Sequence, residues 1–223
     1  MMILVSGATT TVRRLAHPNV GAFFVPAARN VPEATLLPGM LWAADNGAFT
    51  AFNEEAFLRM LDRLHGTPNC LFVAAPDKVA NAVETLHLFR IWEPIIHRYN
   101  FPVAFIGQDG LDLAQVPWQS CEAAFLGGTN KFKLGPVGRD FAAYARGLGK
   151  WVHMGRVNSL KRMTYADSIG CQSVDGRQWS AFAERYLLWG ANHGQQLRET
   201  AQGREDGRRL LQGWRRTLKI ING

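Results

Sequence analysis

Only three cysteines occur in the chain, Cys70, Cys121 and Cys171, and they stand far apart. No CxxC or CxC pair exists, which excludes a zinc ribbon and leaves no even set for a disulfide framework. So few cysteines point to a reducing, cytoplasmic setting. The six histidines form no HExxH or HxH pattern, so neither a metal nor another resident cofactor is expected. No apolar run approaches the ~18 residues that span a bilayer, and no membrane partner is expected. The opening MMILVSGATT lacks a basic leader and is expected to be a first buried strand rather than a signal peptide. Linkers and low-complexity stretches are missing too, so the 223 residues are expected to form a single domain over 1–223.

Against these absences stands an excess of positive charge. Lys and Arg total 25 against 18 Asp and Glu, a formal net charge of +7. This imbalance favours a polyanionic partner such as nucleic acid. Much of it sits near the C-terminus, where Arg198, Arg204, Arg208, Arg209, Arg215, Arg216 and Lys219 outnumber Glu199, Glu205 and Asp206. The same pattern also fits a solvated helix face held by i,i+4 pairs such as Glu205–Arg209.

Short apolar runs recur along the chain, at 2–6, 21–26, 41–44, 70–75, 102–107, 122–127, 151–155 and 171–174. Unbroken apolar character over four to six residues fits strands buried on both faces, as in a parallel sheet. Helical stretches follow several of them. NEEAFLRMLDRLHG opens on an Asn cap and stops at Gly66. The stretch from Pro76 to Tyr99 places Val79, Val83, Leu86 and Arg90 on adjoining turns, with a break expected at Pro94. GRDFAAYARGLGK and NSLKRMTYADSIG supply two more. The segments after the first two runs are rich in Pro, Thr and Ala and are expected to be loops. The pattern predicts an α/β fold, a compact (β/α)8 TIM-like barrel. A basic helical tail is expected over about 178–223. An open doubly wound sheet is the alternative.

Polar residues or glycines follow the strand candidates at once: Asp45, Asp77, Gln108, Gly127–Gly128, Gly155–Arg156 and Asp175. In a barrel these ends share one rim, where barrel enzymes place their chemistry. Each residue also has a plainer role. Asp77 and Asp175 are potential helix caps, Asp109-Gly110 and Asp175-Gly176 are common turn dipeptides, and Met154 is a natural core filler. Their repetition at successive strand ends is what favours a site. A rim rich in carboxylates and without a metal-binding motif suits glycosyl chemistry, in which one carboxylate attacks the anomeric carbon and another handles the leaving group's proton. Phe49, Met154, Asp77, Gln108 and the Gly127–Gly128 amides would suit a planar base.

These segments resemble the tRNA-guanine transglycosylases, most of all the short phage-type, DpdA-like 7-deazaguanine DNA transglycosylases. Asp45-Asn46-Gly47-Ala48-Phe49 is similar to the family's DSGGFQ segment. That likeness implies proton transfer by Asp45 and stacking by Phe49. Asp77 matches an aspartate that grips the base edge, Gln108 in FIGQDG the family's glutamine, and Gly127–Gly128 its Gly-Gly loop. Met154-Gly155-Arg156-Val157 resembles MGVG, whose methionine packs on the other base face. Gly170 to Asp175 resembles the nucleophile segment and points to Asp175. The likeness spans roughly residues 41–177. Two departures stand out: the family's zinc-binding cysteines after the nucleophile are missing, and Lys131 and Lys133 stand where an acidic residue is expected after the Gly-Gly loop.

The resemblance implies a ping-pong exchange of guanine for a free 7-deazaguanine co-substrate. The missing zinc subdomain makes DNA the expected partner and tRNA a less favoured one. Arg156, Arg177, Lys131, Lys133, Arg208, Arg209, Arg215 and Arg216 are the expected phosphate contacts. The lysine pair would repel an aminomethyl base and favour a neutral preQ0-type nitrile. A base glycosidase or nucleoside hydrolase on the same carboxylates, and a non-catalytic nucleic-acid-binding barrel, remain open at this point.

Overall fold

In the computed structural model, the eight apolar runs become eight parallel strands that close into a barrel in sequence order. The structure describes residues 1–176 except 7–9, 11, 14–15, 29 and 50. The strands are β1 (Met2–Ser6), β2 (Val20–Phe24), β3 (Trp42–Ala44), β4 (Cys70–Ala74), β5 (Val103–Gly107), β6 (Ala123–Leu126), β7 (Trp151–Met154) and β8 (Ser173–Asp175). Pairing of Ile3 with Val174 and Leu4 with Asp175 joins the first strand to the last. An open sheet would leave both of those edges unpaired, so the doubly wound alternative is excluded.

Side chains alternate between the two faces of each strand. Inward-facing Phe23, Phe72, Phe125 and His153 form an aromatic cluster, with ring centroids 4.5 to 6.4 Å apart. This cluster fills the barrel beneath its C-terminal rim, so the interior is core rather than channel. Outward-facing residues pack against helices, as Phe105 does against Phe89 and Phe141.

The helices are α1 (Pro32–Thr35), α2 (Glu54–Leu64), α3 (Ala82–Arg98), α4 (Asn130–Lys133), α5 (Pro136–Gly147) and α6 (Leu160–Ser168). Asn53 caps α2 by accepting from the Ala56 amide at 2.9 Å. The expected face of α3 is corrected. Asn81 caps this helix through the Glu84 amide at 3.0 Å, so Val79 lies before it. Its buried stripe is Ala82, Thr85, Phe89, Trp92 and Ile96, whereas Val83 is 76% exposed. The expected break at Pro94 does not occur, because the proline sits inside the helix. The carbonyl it leaves unbonded belongs to exposed Arg90, and burial of Phe89, Trp92 and Ile96 offsets the loss.

The segment after β2 is mostly loop, with α1 as a single turn. In the segment after β1, expected to be a loop, residues 10, 12 and 13 are helical and 7–9, 11 and 14–15 lie outside the described residues, as do Arg177 and the tail expected over about 178–223. The barrel falls within the unit Met1–Ser180. Cys70, Cys121 and Cys171 are free and buried. Among the described residues no helix is long and apolar enough to cross a membrane.

Candidate active site

Parallel strands bring their C-terminal ends to one rim. At that rim Asp45, Asp77 and Asp175 face one cavity of about 70 Å³. Asn46, Gln108, Gly127, Gly128, Gly155 and Arg156 complete its polar and glycine lining, with Phe49, Val79, Ile106 and Phe125 as its apolar part. A larger hollow of about 340 Å³ at Asp62, His65, Arg98 and Tyr99 is an open surface depression. It has no comparable convergence of carboxylates and amides.

Asp77 is fixed between two amides. Asn46 Nδ2 donates to Asp77 Oδ1 at 2.8 Å, and Gln108 Nε2 donates to Oδ2 at 2.5 Å. Each amide is anchored in turn. Asn46 Nδ2 also donates to the Ala75 carbonyl at 2.7 Å and its Oδ1 accepts from the Ala48 amide at 2.7 Å, while Gln108 Oε1 accepts from the Ala80 amide at 2.9 Å. Asp77 therefore does not cap α3. Burial pushes its carboxyl pKa up, opposed by the two amide donors and by the charge of Arg156.

Asp45 accepts from the Asn46 amide at 3.0 Å. Burial, reinforced by the nearby charges of Asp175 and Asp77, pushes its pKa up to about 7. It is therefore poised to exchange a proton near neutrality.

Asp175 is held differently. His153 Nε2 lies 3.0 Å from its Oδ1, and the Arg156 amide donates to the same oxygen at 3.2 Å. Trp151 Nε1 donates to Ser173 Oγ at 2.8 Å, and Ser173 Oγ lies 2.8 Å from His153 Nδ1. An indole only donates, so the serine oxygen accepts from Trp151. A carboxylate only accepts, so His153 Nε2 carries a proton and donates to Asp175.

Glycine at 127 and 155 is a requirement of space. A Cβ at Gly127 would stand 2.5 Å from Ile106 Cγ2 and 2.7 Å from Gln108 Nε2. One at Gly155 would stand 2.5 Å from the Phe125 ring. Asp109 ties the neighbouring loops together by accepting from the Thr129 amide at 2.7 Å and its hydroxyl at 2.6 Å.

The structure separates three expected site residues from the cavity. Met154 is 1% exposed and not part of the lining. It lies on the outer face of β7, because its neighbour His153 points inward. Lys133 is 4% exposed, and its Nζ donates to the Gly155 carbonyl at 2.9 Å. The single turn of α4 folds this side chain inward, so it is no phosphate contact. Burial and the charge of Arg156 lower its pKa to about 8. Lys131 remains exposed, and its charge acts on Asp109. Arg177, Arg208, Arg209, Arg215 and Arg216 lie outside the described residues. Among the described residues, no group of three or more His, Cys, Asp or Glu is placed to hold a metal ion.

Sequence reasoning missed His153 and Asn46. His153 is the one polar residue in the apolar run WVHM. Asn46 stands beside Asp45 in a segment whose aspartate drew the attention. Fold and site together define a (β/α)-barrel with three carboxylates at its C-terminal rim. No protein-family model matches the chain, and no curated protein matches it.

Proposed function

We propose that the protein is a base-exchange transglycosylase that replaces guanine in DNA with a 7-deazaguanine through a covalent aspartyl–sugar intermediate. The observation that carries this reading is the division of labour between two carboxylates on one cavity. Asp45 has a pKa near 7, while Asp175 is held by two donors on one oxygen. Environments that differ in this way assign an acid and a nucleophile.

The target nucleotide leaves the stack at a cost of roughly a few kcal/mol. Asp175 attacks C1′ through Oδ2 as the bond from C1′ to guanine N9 breaks. Asp45 delivers its proton to the departing base. The incoming 7-deazaguanine then gives its N9 proton to Asp45, its nitrogen attacks C1′, and Asp175 is released. Asp77, Gln108 and the Gly127–Gly128 backbone bind the polar edge of the base. Phe49 stacks on one face. DNA is preferred over tRNA on the resemblance and on the missing zinc cysteines. The case for a neutral 7-substituent rests on Lys131 alone, since Lys133 is buried.

Mass spectrometry of nucleosides from DNA and from tRNA, each treated with protein and labelled 7-cyano-7-deazaguanine, tests the proposal. Label is expected in DNA and absent with Asp175→Asn. Abasic sites without label would instead mean hydrolysis by the same carboxylates. Label in tRNA alone would overturn the choice of nucleic acid.

A further inference from the structure

The cavity is closed by one of its own side chains. Phe49 is 55% exposed, and the guanidinium carbon of Arg156 lies 4.4 Å from the centre of its ring. Arg156 Nη2 also donates to the Gly128 carbonyl at 2.5 Å. A flat cation thus lies on the aromatic face and bonds to the tip of the Gly-Gly loop. Two stacked planes leave no room for a third between them. The remaining volume, about 70 Å³, is far below the ~300 Å³ at the lower end of small-molecule pockets. Backbone geometry holds the plug over the ring. Arg156 has φ +58°, a left-handed conformation that a non-glycine residue adopts at a cost. Its amide is tied to Asp175 at 3.2 Å.

We infer that Arg156 is a place-holder for the base, and that a planar heterocycle enters only by displacing its guanidinium from Phe49 and Gly128. The inference rests on the base-exchange reading of the site and adds a residue that sets when the site opens. The displacing ligand must offer a flat face to Phe49 and an N–H donor to the Gly128 carbonyl, replacing the two contacts it breaks. Once free, the guanidinium stands at the cavity mouth, where it can pair with a phosphate. Nucleic-acid binding therefore draws the plug out, which makes the polymer the first substrate and the free base the second.

The test compares binding of 7-cyano-7-deazaguanine, without nucleic acid, to the wild-type protein, Arg156→Ala and Arg156→Gly by calorimetry. A closed form that dominates by about ten to one weakens the apparent affinity about tenfold, and removing the plug restores it. Both variants are expected to bind the base about tenfold more tightly than wild type. The glycine variant also relieves the left-handed backbone, so a folding defect specific to alanine does not obscure the result. In the wild type, the Arg156 Nε–H resonance is expected to be shifted by the Phe49 ring and to lose that shift when a short single-stranded DNA is added.

Equal or weaker binding by both variants, or a resonance that never shows the ring shift, would overturn the inference. Tighter base binding by the variants with no exchange into DNA would uphold the plug and sink the transglycosylase reading. Exchange by the wild type with no gain in the variants does the reverse. If no protein binds the base, the plug inference falls, and incorporation of label into DNA decides the transglycosylase reading separately.

Discussion

His153 Nε2 lies 3.0 Å from Asp175 Oδ1 at the top of the aromatic cluster that fills the barrel. The ring is wholly buried, so the contact is a fixed donor to the carboxylate we assign as nucleophile. Replacing His153 by Phe keeps an aromatic ring among Phe23, Phe72 and Phe125 but removes the donor. A hydrogen bond to a charged group contributes about 1.5–3 kcal/mol, so we expect kcat to fall about 10- to 100-fold. A thermal transition close to wild type would show that the loss comes from positioning rather than unfolding. Unchanged kcat would remove His153 from the mechanism.

The pKa of Asp45, raised to about 7, has two consequences of opposite sign. As the acid that protonates the leaving base, Asp45 must carry a proton. Exchange should therefore decline as pH rises through about 7, and a kcat profile flat from pH 6 to 9 would count against this role. For stability, a raised carboxyl pKa means that the folded state holds the proton more tightly than the unfolded chain. Stability contributed by Asp45 is thus present at about pH 4 and is lost as pH rises towards 7. Asp45→Asn, which removes the ionisation, is expected to stabilise the protein at pH 8 and to change little at pH 4. The shift from 3.8 to about 7 sets an upper limit of about 4 kcal/mol. Partial exposure to the cavity reduces the expected gain to about 1–3 kcal/mol. Denaturant melts at the two pH values measure it.

The barrel was legible in the sequence because parallel strands buried on both faces leave unbroken apolar runs. Each observed strand coincides with one such run to within two residues. The rim was legible for the same reason: the first polar residue after a run marks a strand end. What escaped depends on direction rather than order along the chain. Met154 follows the run as a site residue would, yet strand alternation turns it to the outer face. Lys133 carries the charge of a phosphate contact, yet one turn of helix buries it. His153 lies inside an apolar run, where a lone histidine gives no sign of whether it faces the helices or the barrel axis. On α3, the aromatic stripe of Phe89 and Trp92 outweighed the weaker pattern of Val79 and Val83.

Asn46 supports Asp77, the carboxylate we assign to base binding. Its amide holds Asp77 and the Ala75 carbonyl, and its oxygen holds the Ala48 amide. Asn46→Ala strands these buried groups, at a cost of about 1–3 kcal/mol. The Asp77 pKa should rise further, because a donor that opposes the effect of burial is gone. We expect KM for the free base to rise more than kcat falls. A variant with wild-type KM and stability would show that Gln108 alone is sufficient to hold Asp77.

Two glycines at the rim are expected to separate the proposed base recognition from the proposed attack on the sugar. At Gly127 an added methyl meets Ile106 Cγ2 at 2.5 Å and Gln108 Nε2 at 2.7 Å, on the side we assign to the base edge. At Gly155 it meets Phe125 at 2.5 Å and Asp175 Oδ1 at 3.3 Å, on the side of the nucleophile. Overpacking of this kind costs about 1–3 kcal/mol wherever it occurs, so the two variants are expected to lose similar stability. Their kinetics should part. Gly127→Ala displaces the Gln108 amide from Asp77, and KM for the free base is expected to rise about tenfold or more with a smaller change in kcat. Gly155→Ala pushes Phe125 against His153, whose ring centre lies 4.5 Å away, and so disturbs the donor to Asp175. Its kcat is expected to fall about tenfold or more with KM little changed. Steady-state exchange kinetics with labelled base resolve the two parameters. The same defect in both variants would mean that the rim does not divide base binding from attack on the sugar.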